Sequence, residues 1–214
     1  MSTFYNIDEQ RRWNDLEMWT DGGHEWSVSF GTTENLWNRH IFPDLKRFRN
    51  MAITEIAPGH GRITQFLSVL ADKLSVVDLN ESCIQKTREK LGHHVHSYNV
   101  GDGKSLTGIH DLSQDLVFCF DSAVHMHANV IEAYIEESNR VLKSGGCMWI
   151  HHSNWQDASD LSFNNVAGRS MMTPEQFHEL AIKNGFARIS QNPIKFNPEH
   201  HWDGTDFISF YIKL

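Results

Sequence analysis

The chain has 214 residues, enough for one well-buried domain and too few for two of ordinary size. Hydrophobic residues make up 40% and charged residues 21%, globular values that argue against disorder. Lys and Arg total 19 against 27 for Asp and Glu, a formal charge of −8, and no stretch gathers basic side chains into a track for a phosphate backbone, so nucleic acid is not the expected partner.

The N-terminal "MSTFYNIDEQRRWND" lacks the apolar core of a signal peptide, and no 18-residue apolar stretch occurs, which gives the expectation of a cytoplasmic protein with no membrane partner. The first fifty residues are rich in aromatics, with Trp13, Trp19, Trp26, Phe30 and Trp37, and read as helices and loops lying over a sheet. The basic run "DLKRFRN" reads as a solvated helix face. The division expected is a lid segment, 1–50, and a main domain, 51–214.

From Ala52 onward strands and helices alternate. "MAITEIA" reads as a buried strand, after which Ile63, Phe66, Leu67 and Leu70 recur at helical spacing. "KLSVVDL" is a second strand, followed by the helix "ESCIQKTREKLG"; "HVHSYNV" is a third, and the continuously apolar "DLVFCFD" a fourth, as expected of a strand buried on both faces. Val130 to Leu142 forms a helix with Ile131, Ile135 and Leu142 on one stripe, and Gly145-Gly146 turns the chain into a fifth strand, "CMWIHH". "TPEQFHELAIKNGF" has every helix signal: Thr173 as N-cap, Pro174 at the first position, Gln176 closing a capping box, Gly185 as the stop. "ARISQNPIKF" and "DFISFYIKL" read as a terminal hairpin closing one sheet edge. Strand–helix alternation predicts an α/β fold with mostly parallel strands. Cys83, Cys119 and Cys147 form no CxxC pair and read as buried reduced thiols.

The turn after the first strand, "ITEIAPGHGRITQFL", breaks regular structure where an open parallel sheet places its ligand. Gly59 and Gly61 have no Cβ, so a flat ligand can approach the backbone. A dinucleotide fingerprint would need a third glycine where Thr64 stands, and Glu55 at the strand end would repel a pyrophosphate. Asp78 ends the second strand, where a carboxylate can grip ribose hydroxyls, and Gly101-Asp102-Gly103 ends the third. A phosphate-free adenosine with a cationic far end satisfies these three acids; S-adenosylmethionine is such a ligand.

At these residues the chain resembles the class I methyltransferases. Their motif E-x-G-x-G-x-G looks like Glu55-Ile56-Ala57-Pro58-Gly59-His60-Gly61, with Ala57 at the first glycine; the fourth-strand motif looks like "DLVFCFDSAVHM", and "RVLKSGGCMWI" like the turn into the fifth strand. The resemblance covers about residues 53–214 and implies a Rossmann-like, seven-stranded, mostly parallel sheet with a C-terminal antiparallel hairpin. It implies a cofactor site of Glu55, Ala57, Pro58, Gly59, Gly61, Asp78, Leu79, Asn80, Gly101, Asp102, Gly103, Phe120 and Asp121.

Methyl transfer to a hydroxyl needs alignment, exclusion of water and a base. Among 14 histidines, His125 follows the fourth strand, while His151 and His152 end the fifth, where alternation lets at most one of the pair face an acceptor. His152 or His125 is the expected base, with Asp121 orienting it or binding the methionine end of the cofactor. Asp121, His125 and His152 could also converge on a divalent ion, but no HExxH-type spacing supports one, and none is expected. Trp26, Arg169 and Asn154 are the expected acceptor contacts. "HHSN" with a downstream arginine, then Gln191, Trp202 and Asp206, is similar to bacterial methyltransferases of surface-polysaccharide and sugar-decorated metabolite pathways. The acceptor expected is a small hydroxylated molecule, a sugar among the options, and the sequence is compatible with a homodimer. The competing expectations are N-methylation of a small molecule, a nucleotide-dependent oxidoreductase, and a non-catalytic cofactor-binding protein.

Overall fold

The computed structural model describes residues 19–156, 168–194 and 204–214. Seven strands form one sheet in the order β3-β2-β1-β4-β5-β7-β6. They are β1 Ala52–Ile56, β2 Lys73–Asp78, β3 Ser97–Val100, β4 Gln114–Cys119, β5 Leu142–Ser153, β6 Phe186–Pro193 and β7 Asp206–Lys213. Strands β1 to β5 pair in parallel, and β7 lies antiparallel between β5 and β6. This is the seven-stranded arrangement implied by the resemblance. The order reverses between β1 and β4, so their carboxyl ends diverge and leave a crevice where a ligand can sit.

Side-chain parity divides the interior in two. Ile53, Leu74, Val76, Leu116, Phe118, Cys147 and Trp149 pack on one face, together with Leu36, Trp37, Ile41, Leu45 and Phe48 from the N-terminal segment. Residues 19–50 therefore share their core with the sheet. That segment is built of short turns of helix: a 3₁₀ stretch His24–Phe30, α1 Thr33–Leu36, a π turn Trp37–Ile41 and α2 Phe42–Leu45. Val77, Val117, Cys119, Met148 and Ile150 face the other way, against a long helix and the last helix. Each fully buried Leu, Ile or Phe contributes about 1.5–3 kcal/mol, so both faces are held by the same apolar force.

The intervening helices are α3 Thr64–Leu70, α4 Glu81–Leu91, α5 Ala128–Val141 and α6 Pro174–Lys183. The capping box read at α6 is present: Thr173 Oγ1 accepts from the Gln176 amide, and the Gln176 side chain accepts from the Thr173 amide. All three cysteines are buried and free, and burial raises the Cys119 thiol to about 12.

One boundary differs from expectation. Gly145-Gly146 does not precede β5 but lies within it, as an irregularity across which Gln114 pairs with Leu142 and Leu116 with Cys147. Gly145 has φ 76, and a Cβ on Gly146 would stand 2.9 Å from the Lys143 carbonyl, so the strand can bulge here only with glycine.

Candidate functional site

The crevice begins at the turn after β1. Gly59 and Gly61 take φ 57 and 78, angles that favour glycine, and the indole of Trp19 lies directly against Gly59, where no Cβ would fit. Trp19 stacks on His60 at 4.0 Å and meets Trp26 edge-on at 4.7 Å. Ala57 and Pro58 fall in the same turn, and Ala57 is itself left-handed at φ 53. The family's glycine at that position would carry no such strain.

Glu55, one residue before the end of β1, is buried, and its Oε2 has no hydrogen-bond partner. Burial pushes its carboxyl up to about 8; the nearby Asp78 adds to the rise, and Thr64 and Arg62 work against it. Asp78, ending β2, is likewise raised by burial, to about 6, although it accepts from the amides of Asn80 at 2.8 Å and Gly59 at 3.3 Å. Thr87 Oγ1 donates to the Gly59 carbonyl at 2.8 Å and ties the turn to α4. Leu79 is half-buried beside Asp78. Asn80 precedes α4 without capping it, and its buried Oδ1 is unpartnered. Two orphaned acceptor oxygens beside a flat glycine turn suit a ligand bearing cationic and hydroxyl donors, which is the chemistry of S-adenosylmethionine.

Asp102 is used differently. Its Oδ1 accepts from the Lys104 and Ser105 amides and the Ser105 hydroxyl at 2.7–2.9 Å, closing the loop after β3. Partial burial opposes this, but these bonds hold the carboxyl below its ordinary range. Gly101 packs tightly, since a Cβ there would stand 3.0 Å from Val77, and Gly103 has φ 82.

Across the crevice, Asp121 follows β4 at φ 62 and pairs with Arg62 at 2.6 Å. The Arg62 guanidinium lies 5.6 Å from the Phe120 ring and 5.9 Å from Trp26, and donates to Ser27 Oγ at 3.1 Å. Arg62 thus joins the N-terminal segment, the glycine turn and the end of β4. Sequence reading missed it, although it is the one basic residue that directly follows Gly61.

The fifth-strand pair resolves by parity. His151 points to the Trp149 face, where its ring stacks on Phe120 at 4.6 Å. His152 points the other way and stacks on Phe177 at 4.5 Å, with Nδ1 on the Ser153 carbonyl at 2.8 Å and Nε2 on Ser209 Oγ at 2.7 Å. It is 0% exposed, and burial holds it down at about 4. The expectation of His152 as base is therefore corrected: both nitrogens are spent inside the core and neither reaches the crevice. The metal alternative built on Asp121, His125 and His152 loses the same member. Among the described residues no group of three His, Cys, Asp or Glu could hold an ion.

His125 directs Nδ1 at the Gly168 carbonyl, 3.1 Å away, and burial lowers its pKa. A carbonyl only accepts, so Nδ1 carries the proton and Nε2 the lone pair, the tautomer a base requires. Arg169 forms two bonds to Asp206, Nε to Oδ1 at 2.6 Å and Nη2 to Oδ2 at 2.5 Å. Burial opposes ionisation of Asp206, yet His151 and Arg169 outweigh it and hold the carboxyl at about 2. Asn154 donates to the Gly204 carbonyl at 2.8 Å, bracing the loop before β7. Arg169 and Asn154, expected as acceptor contacts, thus have protein partners; Trp26 stands by Trp19 and Arg62. Trp13 and Trp202 lie outside the described residues.

Residues 53–146 match a protein family described as a methyltransferase domain. No curated protein matches the chain by sequence. Among solved structures, a protein of Pyrococcus horikoshii is 19% identical, with 96% of this chain and 99% of that one covered at a TM-score of 0.66. An S-adenosylmethionine-dependent methyltransferase from Leishmania major is 13% identical, with 100% and 87% covered at 0.68. One from Mesorhizobium loti is 13% identical, with 86% and 100% covered at 0.67. At such identities these likenesses speak to the fold, and all three span most of both chains.

Proposed function

We propose that this chain, whose residues 53–146 match a methyltransferase domain, is a class I S-adenosylmethionine-dependent methyltransferase that methylates a hydroxyl of a small acceptor, with His125 as base. The observation that carries this reading is the pair of buried, unpartnered oxygens, Glu55 Oε2 and Asn80 Oδ1, beside the turn of Gly59 and Gly61. Buried acceptors left unpaired cost about 1–3 kcal/mol each, a cost that a bound donor removes.

When bound, S-adenosylmethionine supplies a methyl carbon on a cationic sulfur that leaves as a neutral thioether once the acceptor oxygen displaces it. Glu55 and Asn80 take its donors, Asp78 the ribose hydroxyls, and Trp19 and Phe120 wall out water. The Arg62–Asp121 pair fixes the turn between cofactor and acceptor. His125 receives the acceptor's hydroxyl proton on Nε2, and the Gly168 carbonyl holds the ring in that tautomer. Residues 19–50, through Trp19 and Trp26, act as a lid over this crevice. The absence of a basic track and the net charge of −8 favour an uncharged acceptor such as a sugar over nucleic acid.

Isothermal titration with S-adenosylmethionine and with NAD, separately, tests the premise, and binding of NAD alone would end it. Incubating a metabolite extract with protein and methyl-labelled cofactor identifies the acceptor. Label on a polysaccharide precursor supports the sugar reading; label on nucleic acid overturns it. His125→Ala is expected to lose at least about a hundredfold in turnover with cofactor affinity retained.

A further inference from the structure

Asp121 is a non-glycine residue held at φ 62 at the end of β4, where its carboxylate meets Arg62 at 2.6 Å. Its amide donates to His151 Nδ1 at 3.1 Å. An amide only donates, so Nδ1 keeps its lone pair and the ring proton resides on Nε2, which makes no hydrogen bond but stands 3.5 Å from Asp206 Oδ2, close enough for the carboxylate's charge to favour the proton there. Asp206 is 0% exposed and locked by Arg169. His125 and His152 are the reverse: each turns Nδ1 to a carbonyl, of Gly168 and Ser153, and carries its proton there. An aspartate behind a histidine looks like a proton-accepting dyad, but here the lone pair is occupied by a backbone amide.

We infer that His151 is a positioning residue that, oriented by Asp206, holds the left-handed turn of Asp121 between cofactor and acceptor. The chain of contacts runs from Asp206 in the C-terminal hairpin through His151 and Asp121 to Arg62 and Ser27, so the 3₁₀ stretch His24–Phe30 and the hairpin are braced on one turn. Phe120 stacks on the His151 ring and keeps it from turning. Why the turn matters rests on the methyl-transfer reading; the tautomer does not.

Long-range proton–nitrogen NMR of histidine-labelled protein reads the tautomer directly. The Nε2–H tautomer is expected for the neutral ring of His151, with the Nδ1–H tautomer for His125 and His152; an Nδ1–H His151 would overturn the inference. The second arm compares His151→Asn, whose Oδ1 can replace Nδ1 as acceptor for Asp121, with His151→Gln, whose amide instead reaches the Asp206 side. Both lose the ring stack, so both lose stability alike. His151→Gln is expected to bind S-adenosylmethionine about tenfold more weakly than His151→Asn, the size of one lost hydrogen bond to a buried amide; equal affinities overturn the inference. Wild-type protein that fails to bind the cofactor refutes the methyl-transfer reading instead, and the tautomer then decides this inference alone.

Discussion

At the carboxyl ends of β1 and β2, Glu55 Oε2 and Asn80 Oδ1 are buried without partners, and burial drives the carboxyls of Glu55 and Asp78 up. At the end of β5 and the start of β7, Asp206 is equally buried but gripped by Arg169, its carboxyl driven down to about 2, and His152 spends both nitrogens on Ser153 and Ser209. The sheet therefore has one rim whose buried acceptors lack donors and another where the Asp206 carboxylate and both nitrogens of His152 are met by protein partners, with His151 Nε2 remaining without a hydrogen bond. Unmet buried acceptors indicate where a ligand belongs; met ones indicate what holds the fold in register.

The largest effect expected from this contrast is on the satisfied rim. Arg169→Ala leaves the Asp206 carboxylate buried and uncompensated and is expected to destabilise the fold by about 3–5 kcal/mol in chemical denaturation. Adding Asp206→Asn removes the stranded charge and is expected to recover part of that loss. If Arg169→Ala costs less than about 1 kcal/mol, the pair is a solvated surface contact and the contrast between the rims fails.

The unsatisfied rim should respond with the opposite sign of pH dependence. A carboxyl whose folded pKa exceeds its unfolded one binds its proton more tightly in the native state. Glu55, raised by burial from 4.5 to about 8, thus stabilises the ligand-free protein fully below about pH 4.5 and loses that contribution as the pH climbs through about 8. Asp78 acts likewise between 3.8 and about 6. Glu55→Gln should flatten the fall and leave the variant more stable than wild type at pH 8.5, by ~2 kcal/mol, while weakening S-adenosylmethionine binding. Denaturation at several pH values checks the first effect and calorimetry the second. A wild-type stability that rises from pH 5 to 8 with no contribution from Glu55 would remove the unsatisfied rim from the comparison.

How much of each rim was legible in the sequence follows from the range of the interactions. Glu55, Gly59, Gly61 and Asp78 stand within one strand–turn–helix–strand unit, so local spacing announces them, and the Thr173–Gln176 box is local in the same way. Alternation along "CMWIHH" says that only one of His151 and His152 can face the crevice. Which one is decided by β7, where His151 pairs with Ile208 and His152 with Phe207, more than fifty residues later in the chain. The Asp206–Arg169 pair spans 37 residues and the Arg62–Asp121 pair 59, and no periodicity encodes either. Asp102 could have been read better: Asp between two glycines and followed by Lys and Ser is a turn that accepts its own amides, as it does here.

The smallest expected effect concerns strain in the glycine turn. Ala57 stands at φ 53, which costs a residue with a Cβ about 1–2 kcal/mol, and its position is over-determined, because its amide donates to Val77 at 2.7 Å and its carbonyl accepts from Ser122 at 3.4 Å. Glycine would release the strain but make the unfolded chain looser by about 0.5–1 kcal/mol, so Ala57→Gly should stabilise the protein by about 0.5–1 kcal/mol, or about 1–4 °C in Tm. Asp121→Gly relieves a similar angle across the crevice, φ 62, but strips the buried Arg62 of its carboxylate counter-ion and should destabilise. Opposite signs for the two glycine substitutions would separate backbone strain, shared by both sides of the crevice, from charge satisfaction. Equal signs would mean that strain alone governs both positions, and that the Arg62–Asp121 pair contributes nothing to stability.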